Sequence, residues 1–404
     1  MKGPKVLTVA LALLTLLALK AYVDWSEEQL EHPPAQSTQP AGPSPSTPPA
    51  LLGDDPAELL LHLNQSLQLL RRSIPEADAY WNRQQHGLLR ALEGRPANGT
   101  WGCGAGPAAA AQIRDFASYP EQHQRFVLHA ECRDFPLLLN QPHKCASPRP
   151  FLLLAIKSSP GNFAARQAVR ETWGQEGEPG GWAVRTLFLL GTARGEHQPD
   201  LRRLVVHESW AFQDLLVWDF EDTFFNLTLK DFLFLGWALA HCPHARFVLK
   251  GDDDVFVNMP RVLAYLAGLD TARARLLYTG QVMANAAPFR MAQSKYYIPE
   301  SFYEGPYPAY AGGGGYLFSG HLVRALFLAA QHLAFYPIDD VYTGLCFQAL
   351  GLQPEAHAEF QTFDIAERDR DDPCAHRRLL LVHRRSPQQT VRLWRLLHGP
   401  QLVC

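Results

Sequence analysis

Three consecutive carboxylates, Asp252, Asp253 and Asp254, stand between two apolar runs, 247–249 and 255–257. Adjacent carboxylates repel one another, and their pKa values rise unless a cation neutralises them. Carboxylate oxygens suit hard divalent ions such as Mn²⁺ or Mg²⁺, which in turn bind substrate phosphates. An acidic surface turn is the alternative, but apolar runs rarely enclose such a turn on both sides. The segment therefore predicts a site for a metal ion and a phosphate group.

A second acidic pair, Asp339 and Asp340, precedes the helical pattern of residues 341–350. A carboxylate at this position either caps the helix N-terminus or acts as a general base near the metal site. Between the two acidic segments lie the four glycines of residues 312–315. Without GxGxxG and without a following Lys-Ser/Thr, they form neither a dinucleotide loop nor a Walker loop. The two remaining interpretations of these glycines are a flexible hinge and a sugar-binding loop.

Strands and helices alternate around these residues. Short apolar runs predict buried strands at 151–156, 184–190, 215–220 and 246–249, and helical patterns follow at 164–173, 201–210 and 227–240. This alternation predicts an α/β fold with a doubly wound sheet flanked by helices. Ligands of such sheets bind beyond the carboxyl ends of the strands, which is where Asp252 stands.

The N-terminus predicts a membrane anchor. Two lysines within residues 1–5 precede an apolar run over 6–23, and acidic residues follow it, so we expect a cytosolic tail, a signal-anchor and a lumenal body. A cleaved signal peptide is the alternative, although small residues at a cleavage site are lacking. Residues 24–50 are rich in Pro, Ser and Thr and predict a stem. A helical region over 51–149 and a main domain over 150–404 would follow.

The composition agrees with a lumenal, globular protein. Of 404 residues, 47% are hydrophobic, which is enough for a sizeable core, and the net charge of −3 excludes nucleic acid as an expected partner. Sequons predict N-glycosylation at Asn64, Asn98 and Asn226. An oxidising lumen predicts disulfides among the 7 cysteines, with one left free or paired between chains, and the connectivity stays open.

Six motifs in order give residues 150–404 a family resemblance. They are RQAVRETWG (166–174), FLLG (188–191), ES (208–209), DFED (219–222) with NLTLK (226–230), DDD (252–254), and the glycine run with DDVY (339–342). The chain resembles the Golgi type II β-1,3-glycosyltransferases of the GT-A fold. The segments IDDVYTG (338–344) and TFDI (362–365) and the C-terminal Cys404 resemble the β-1,3-N-acetylglucosaminyltransferase branch.

This resemblance implies an activity. The donor would be UDP-GlcNAc with Mn²⁺ (or Mg²⁺), and the acceptor a galactose- or GalNAc-terminated glycan of a glycoprotein or glycolipid. Transfer would invert the anomeric centre to give a β-1,3 linkage, as in a poly-N-acetyllactosamine-type or core-extending enzyme. The enzyme would be a single-pass type II protein of the Golgi membrane. Homo- or hetero-oligomers with other glycosyltransferases stay open.

The resemblance also assigns site residues. Asp252 and Asp254 would bind the metal, with His383 as either a third ligand or a core histidine. Asp340 would be the general base, with Asp339 beside it. The nucleotide would contact Asp252, Asp253 and three cations of the first strand and helix, which are Lys157, Arg166 and Arg170. For Asp253, an inward-turned structural hydrogen-bond acceptor is the alternative. An internal ion pair to Glu171 or Asp222 is the alternative for either arginine.

Three other functions compete with GlcNAc transfer. The chain could be a β-1,3-galactosyltransferase, because that branch usually differs from this one by Glu for Asp at the position of Asp339. It could be a catalytically weak lumenal partner subunit or chaperone of another glycosyltransferase. A metal-dependent phosphohydrolase would use the same carboxylates, but the sequence lacks a second His/Asp cluster for a two-metal centre.

Overall fold

The computed structural model describes residues 56–91, 106–193, 200–400, 402 and 404. The predicted tail, anchor and stem, together with Asn98, lie outside these residues. None of the described helices is both long and apolar enough to cross a bilayer. The described residues of 49–288 and 298–404 form the main compact unit, and Phe289–Tyr297 group separately.

An eight-stranded mixed sheet forms the centre of the main unit, in the order β1-β4-β3-β2-β5-β8-β7-β9. Its strands are β1 (Leu137–Leu139), β2 (Leu152–Lys157), β3 (Val184–Thr192), β4 (Leu215–Glu221), β5 (Phe247–Asp252), β7 (Tyr278–Met283), β8 (Tyr310–Ser319) and β9 (Glu355–Ala356). A second sheet has the order β10-β11-β6 and contains β6 (Phe256–Val257), β10 (Phe360–Gln361) and β11 (Leu381–Val382).

Helices cover the sheet. In chain order they are α1 (Pro56–Ser73), α2 (Tyr80–Ala91), α3 (Pro107–Ala111), α4 (Glu121–His129), α5 (Phe163–Glu171), α6 (Arg202–Phe212), α7 (Leu227–His241), α8 (Met259–Ala267), α9 (Thr271–Leu276), α10 (Val323–Gln331), α11 (Asp339–Ala349), α12 (Pro373–His376) and α13 (Pro387–Leu397). The sheet flanked by helices confirms the α/β class. The four predicted strands and three predicted helices form near their expected bounds.

Burial explains the apolar strands. β2 runs parallel to both β3 and β5, and every residue of β2 is buried because helices lie over both faces. The register pairs Lys157 with Asp252 at the carboxyl ends of β2 and β5. The main sheet therefore presents one cation and the first carboxylate of the triplet side by side.

The glycine run is neither a hinge nor a loop. Residues 312–315 lie within β8, which pairs antiparallel with β5 and β7. The register of β8 with β7 shifts over this run, between the pairs Gly280–Tyr316 and Val282–Ala311, so the glycines form an irregular part of a strand rather than a separate loop.

The expected boundary at residue 150 does not separate two compact units. β1 precedes it and pairs with β4 of the main sheet, and α1 packs against α11. Trp81 of α2 is buried, donates from Nε1 to the carbonyls of Ala334 and Phe335, and packs edge-on to Tyr336. The described part of 51–149 thus forms one core with the sheet.

Disulfides connect distant segments, as the oxidising lumen predicts. Cys145 pairs with Cys242 and Cys374 with Cys404, and Cys132 is also disulfide-bonded. Cys346 on α11 is the free thiol among the described cysteines, and it is buried.

Candidate functional site

Two carboxylates and an imidazole meet where β5 ends. Ligand atoms of Asp252, Asp254 and His383 all lie within 4.8 Å of one another. The three side chains are partly exposed, at 29%, 48% and 21%, so an ion held here would keep open positions for phosphate oxygens. Carboxylates suit Mg²⁺ and Mn²⁺, whereas an imidazole nitrogen favours a transition ion. This donor set fits a divalent ion, and Mn²⁺ better than Mg²⁺.

The small sheet brings His383 to Asp254. β11 runs antiparallel to β6, and Val382 pairs with Phe256, so the residue after β11 comes next to the residues that precede β6. His383 Nε2 lies 3.0 Å from Asp254 Oδ1, and Nδ1 lies 2.9 Å from the carbonyl of Thr362. His383 therefore lies at the edge of the candidate site, a position that favours a ligand over a core histidine.

The three carboxylates of the triplet have different environments. Burial alone would raise the pKa of Asp254, but the hydrogen bond and the charge of His383, together with the charge of Lys157, lower that pKa below its usual value. Burial lowers the pKa of His383, and its contacts with Asp254 and Asp252 raise it above the usual value. Asp253 accepts hydrogen bonds from Ser158 and Asn162, and burial raises its pKa to about 6. Asp253 is thus held by the chain segment after β2.

Lys157 connects the triplet to the second acidic pair. Its ammonium lies 3.0 Å from Asp252 Oδ1, 2.6 Å from Asp339 Oδ2 and 3.3 Å from the carbonyl of Gly313. Burial would lower the pKa of Lys157, but the two carboxylates raise it well above its usual range. The three acceptors match the three protons of the ammonium, an arrangement that favours a linking role over a nucleotide contact.

Asp340 follows Asp339, the second carboxylate that Lys157 contacts. The helix cap is Ile338, so Asp339 and Asp340 occupy the first turn of α11 and neither is the capping residue that we considered. Asp340 Oδ2 accepts from the backbone N–H of Gly313 at 3.0 Å. Burial first, and then the charge of Asp339, raise the pKa of Asp340 to about 7. A carboxylate with this pKa can accept a proton near neutral pH.

Asp339 keeps its charge because of Lys157. Burial alone would raise its pKa, but the charge and hydrogen bond of Lys157, together with the charge of Lys250, lower the pKa below the usual value. The paired aspartates therefore have opposite shifts, a pattern that distinguishes a fixed anion from a proton acceptor.

The arginines of α5 pair with internal carboxylates. Arg166 is fully buried and binds both oxygens of Glu208, at 2.8 and 2.6 Å. Arg170 binds Asp214 through two hydrogen bonds and also contacts Glu208. These pairs favour the ion-pair alternative over nucleotide contacts, although with other partners than Glu171 and Asp222. Glu208 had no role assigned from sequence, because the ES motif alone does not identify its partner.

Glycines of β8 let two functional groups approach the same strand. A Cβ on Gly313 would lie 3.3 Å from Asp340 Oδ2, and one on Gly314 would lie 2.9 Å from His383 Nδ1. The strand needs glycine here because a side chain would occupy the space of the carboxylate or the imidazole.

Gly314→Ala is expected to weaken Mn²⁺ binding about tenfold, because the new methyl group displaces the His383 ring from its hydrogen bond to Thr362. Gly87→Ala is the control, since a Cβ at that helical position meets nothing within 4 Å. Titration of each purified variant with Mn²⁺ measures the effect. An unchanged dissociation constant for Gly314→Ala would contradict this account of the glycine.

Other aromatic residues and two sequon asparagines have surroundings of their own. Phe302 and Tyr303 are buried among core aromatics. Within Phe289–Tyr297, the rings of Phe289 and Tyr296 lie 6.0 Å apart. Asn64 is exposed on α1, whereas Asn226 donates to the carbonyl of Glu221. The fold therefore favours Asn64 over Asn226 as a glycan carrier.

Comparisons with known proteins give the chain relatives. Residues 164–358 match the family model described as galactosyltransferase. The chain is 49% identical to the human UDP-GlcNAc:betaGal beta-1,3-N-acetylglucosaminyltransferase 8, over 100% of both chains. It is 46% identical to the mouse N-acetyllactosaminide beta-1,3-N-acetylglucosaminyltransferase 2, over 81% of this chain and 86% of that protein. It is also 44% identical to a human acetylgalactosaminyl-O-glycosyl-glycoprotein beta-1,3-N-acetylglucosaminyltransferase, over 74% of this chain and 79% of that protein.

Proposed function

Because the chain belongs to the galactosyltransferase family, and to its β-1,3-N-acetylglucosaminyltransferases, we propose that it transfers GlcNAc from UDP-GlcNAc in β-1,3 linkage. The acceptor in this proposal is a galactose- or GalNAc-terminated glycan. The observation that carries the site assignment is the shared strand: Gly313 binds Asp340, and Gly314 packs against His383. A proton acceptor and a candidate ion site are thus held at adjacent residues.

The chemistry follows from the requirements of inversion. The acceptor 3-hydroxyl attacks the anomeric carbon opposite the departing diphosphate, in one displacement. Asp340 takes the hydroxyl proton, and its raised pKa near 7 makes it a stronger base than an exposed aspartate. A bound Mn²⁺ would stabilise the leaving diphosphate as a Lewis acid, and Asp252, Asp254 and His383 would hold it.

Lys157 contacts a carboxylate of the candidate ion site and a carboxylate next to the proposed base. It holds Asp252 near the ion position and keeps Asp339 charged beside Asp340. We therefore place Asp252 at the nucleotide and give Lys157 a linking role, whereas the hydrogen bonds of Asp253 to Ser158 and Asn162 favour a structural role for that carboxyl. The GT-A type of sheet is part of the proposal, and its support is the resemblance together with a triplet at the end of a buried parallel strand.

The cellular setting is also a proposal. The apolar run over 6–23 with lysines before it supports a type II signal-anchor, and Golgi residence follows from the family resemblance. In expressing cells, peptide-N-glycosidase treatment should reduce the mass of the full chain, and Asn64→Gln should remove one of the glycans.

Donor turnover tests the proposed activity. The full chain is purified in detergent and incubated with Mn²⁺ and either UDP-GlcNAc or UDP-galactose, with and without a galactose-terminated oligosaccharide. We expect UDP release and a new glycan only with UDP-GlcNAc and acceptor together. Transfer from UDP-galactose would indicate the galactosyltransferase instead. Hydrolysis without acceptor dependence would indicate a phosphohydrolase, and no turnover a partner subunit.

A further inference from the structure

A buried ion pair lies directly behind the candidate metal site. Arg385 Nη1 contacts Asp364 Oδ1 at 2.8 Å, and the two side chains are 0% and 2% exposed. Arg370 contacts the other oxygen of Asp364 at 2.7 Å from a partly exposed position. Neither Asp364 nor Arg385 belongs to the ligand set or to the proposed proton transfer.

The main chain connects this ion pair to two of the three candidate ligands, Asp254 and His383. The backbone N–H of Arg385 donates to the carbonyl of Asp254 at 2.7 Å. Its guanidinium Nη1 lies 3.0 Å from the carbonyls of both His383 and Arg384. One arginine thus binds the main chain of Asp254 and of His383, the two residues whose side chains lie 3.0 Å apart.

The local backbone needs such a restraint. His383 follows the two-residue strand β11, and the next residue, Arg384, has a left-handed φ of 62°. Asp364 has a left-handed φ of 78°, and its Oδ1 accepts from the N–H of Ile365. Left-handed conformations of non-glycine residues persist only where their surroundings fix them. A short strand followed by such a turn does not by itself hold an imidazole at a constant distance from a carboxylate.

Stability alone is a weak reason for this ion pair. Desolvation of two charges offsets most of their attraction, and apolar residues of similar volume often serve as well. The pair does supply fixed directions, because a planar guanidinium binds a carboxylate and carbonyl groups at defined angles.

We propose that Asp364 and Arg385 are positioning residues that hold His383 and Asp254 at ligating distance, and so set the affinity of the site for Mn²⁺. The inference rests on the proposed metal site. Groups that orient ligands in this way typically change metal affinity 10- to 100-fold when they are removed.

Mn²⁺ binding by the full chain in detergent, without nucleotide, tests the pair. Free Mn²⁺ is quantified by electron paramagnetic resonance during titration. In Asp364→Asn the amide keeps the shape and tolerates a left-handed φ, but the charge opposite Arg385 is lost. We expect its Mn²⁺ dissociation constant to rise about tenfold or more.

Asp214→Asn is the matched control. Asp214 is another buried carboxylate with an arginine partner, Arg170, and no contact to the ligand residues is found for it among the described residues. Both variants should unfold at lower temperature than the wild type, but only Asp364→Asn should lose Mn²⁺ affinity. Equal dissociation constants for the two folded variants would overturn the positioning role.

Arg385→Lys covers the case in which Asp364→Asn does not fold. Nη1 of Arg385 makes all three contacts to the carboxylate and the two carbonyls, while Nε is fixed by a 3.2 Å hydrogen bond to His376 Nε2. Lysine keeps the positive charge but lacks this planar group, which is held at two of its nitrogens. We expect the same loss of Mn²⁺ affinity, and wild-type affinity in this variant would overturn the proposal. If the wild type itself bound no Mn²⁺, the metal site would fail as well. Binding by the wild type with unaffected variants would remove only the positioning pair.

Discussion

Asp340→Asn should lower kcat for GlcNAc transfer by roughly 10² or more, while the Kd of UDP changes by less than about threefold. The amide cannot accept the proton of the acceptor hydroxyl, and the hydrogen bonds found for Asp340 in the described structure come from the backbone of Gly313 and Val341, not from the ligand residues. Steady-state kinetics with UDP-GlcNAc and calorimetric titration with UDP measure the two quantities. A kcat within about threefold of the wild type would leave the base unassigned.

The pH dependence supplies a second check on Asp340. The base acts in its ionised form, so kcat of the wild type should rise through about pH 7 and level off above it, because its pKa is raised to about 7. The stability effect has the opposite sign. Since the folded pKa lies above the ordinary value of 3.8, the folded state is favoured at low pH and loses stability as pH rises towards 7. Asp340→Asn should therefore unfold no more easily than the wild type at pH 8, which separates lost chemistry from lost folding.

Chelation should abolish transfer, and added Mn²⁺ should restore it. Asp254→Ala should cost at least as much activity as Asp252→Ala, because loss of Asp254 also removes the hydrogen bond that orients His383. Asp371→Asn, an exposed carboxylate outside the site, is the control for the change in net charge and should keep full activity. The assay is product formation at saturating UDP-GlcNAc over a Mn²⁺ series. Full transfer in the presence of chelator would remove the metal from the mechanism.

Local patterns in the sequence were enough to predict the strand that ends at Asp252 and the helix after Asp339. An apolar run before a charged residue reflects burial within the sheet, and this information is contained in a few neighbouring residues. The role of His383 could not be decided in the same way. Its position beside Asp254 depends on the pairing of β11 with β6, segments separated by more than 100 residues.

Contacts between distant parts of the chain also determine the roles of the arginines and the glycines, and local sequence patterns do not predict such contacts. Arg166 pairs with Glu208, 42 residues further along the chain, and no helical spacing indicates that contact. The glycines of residues 312–315 have the composition of a loop, but they lie in β8, where Gly313 and Gly314 leave the space that Asp340 and His383 occupy. In both cases the partner that determines the role comes from another part of the fold.

Nuclear magnetic resonance of the purified reaction product tests the central claim most directly. The full chain is incubated with UDP-GlcNAc, Mn²⁺ and a β-galactose-terminated oligosaccharide, and the linkage of the new sugar is assigned from its through-bond and through-space correlations. We predict GlcNAc on the 3-position of galactose, with the large anomeric coupling of a β-linkage, because a single displacement inverts the α-linked donor. An α-linked product would contradict the one-step displacement, and a GlcNAc on another hydroxyl would contradict the proposed β-1,3 linkage.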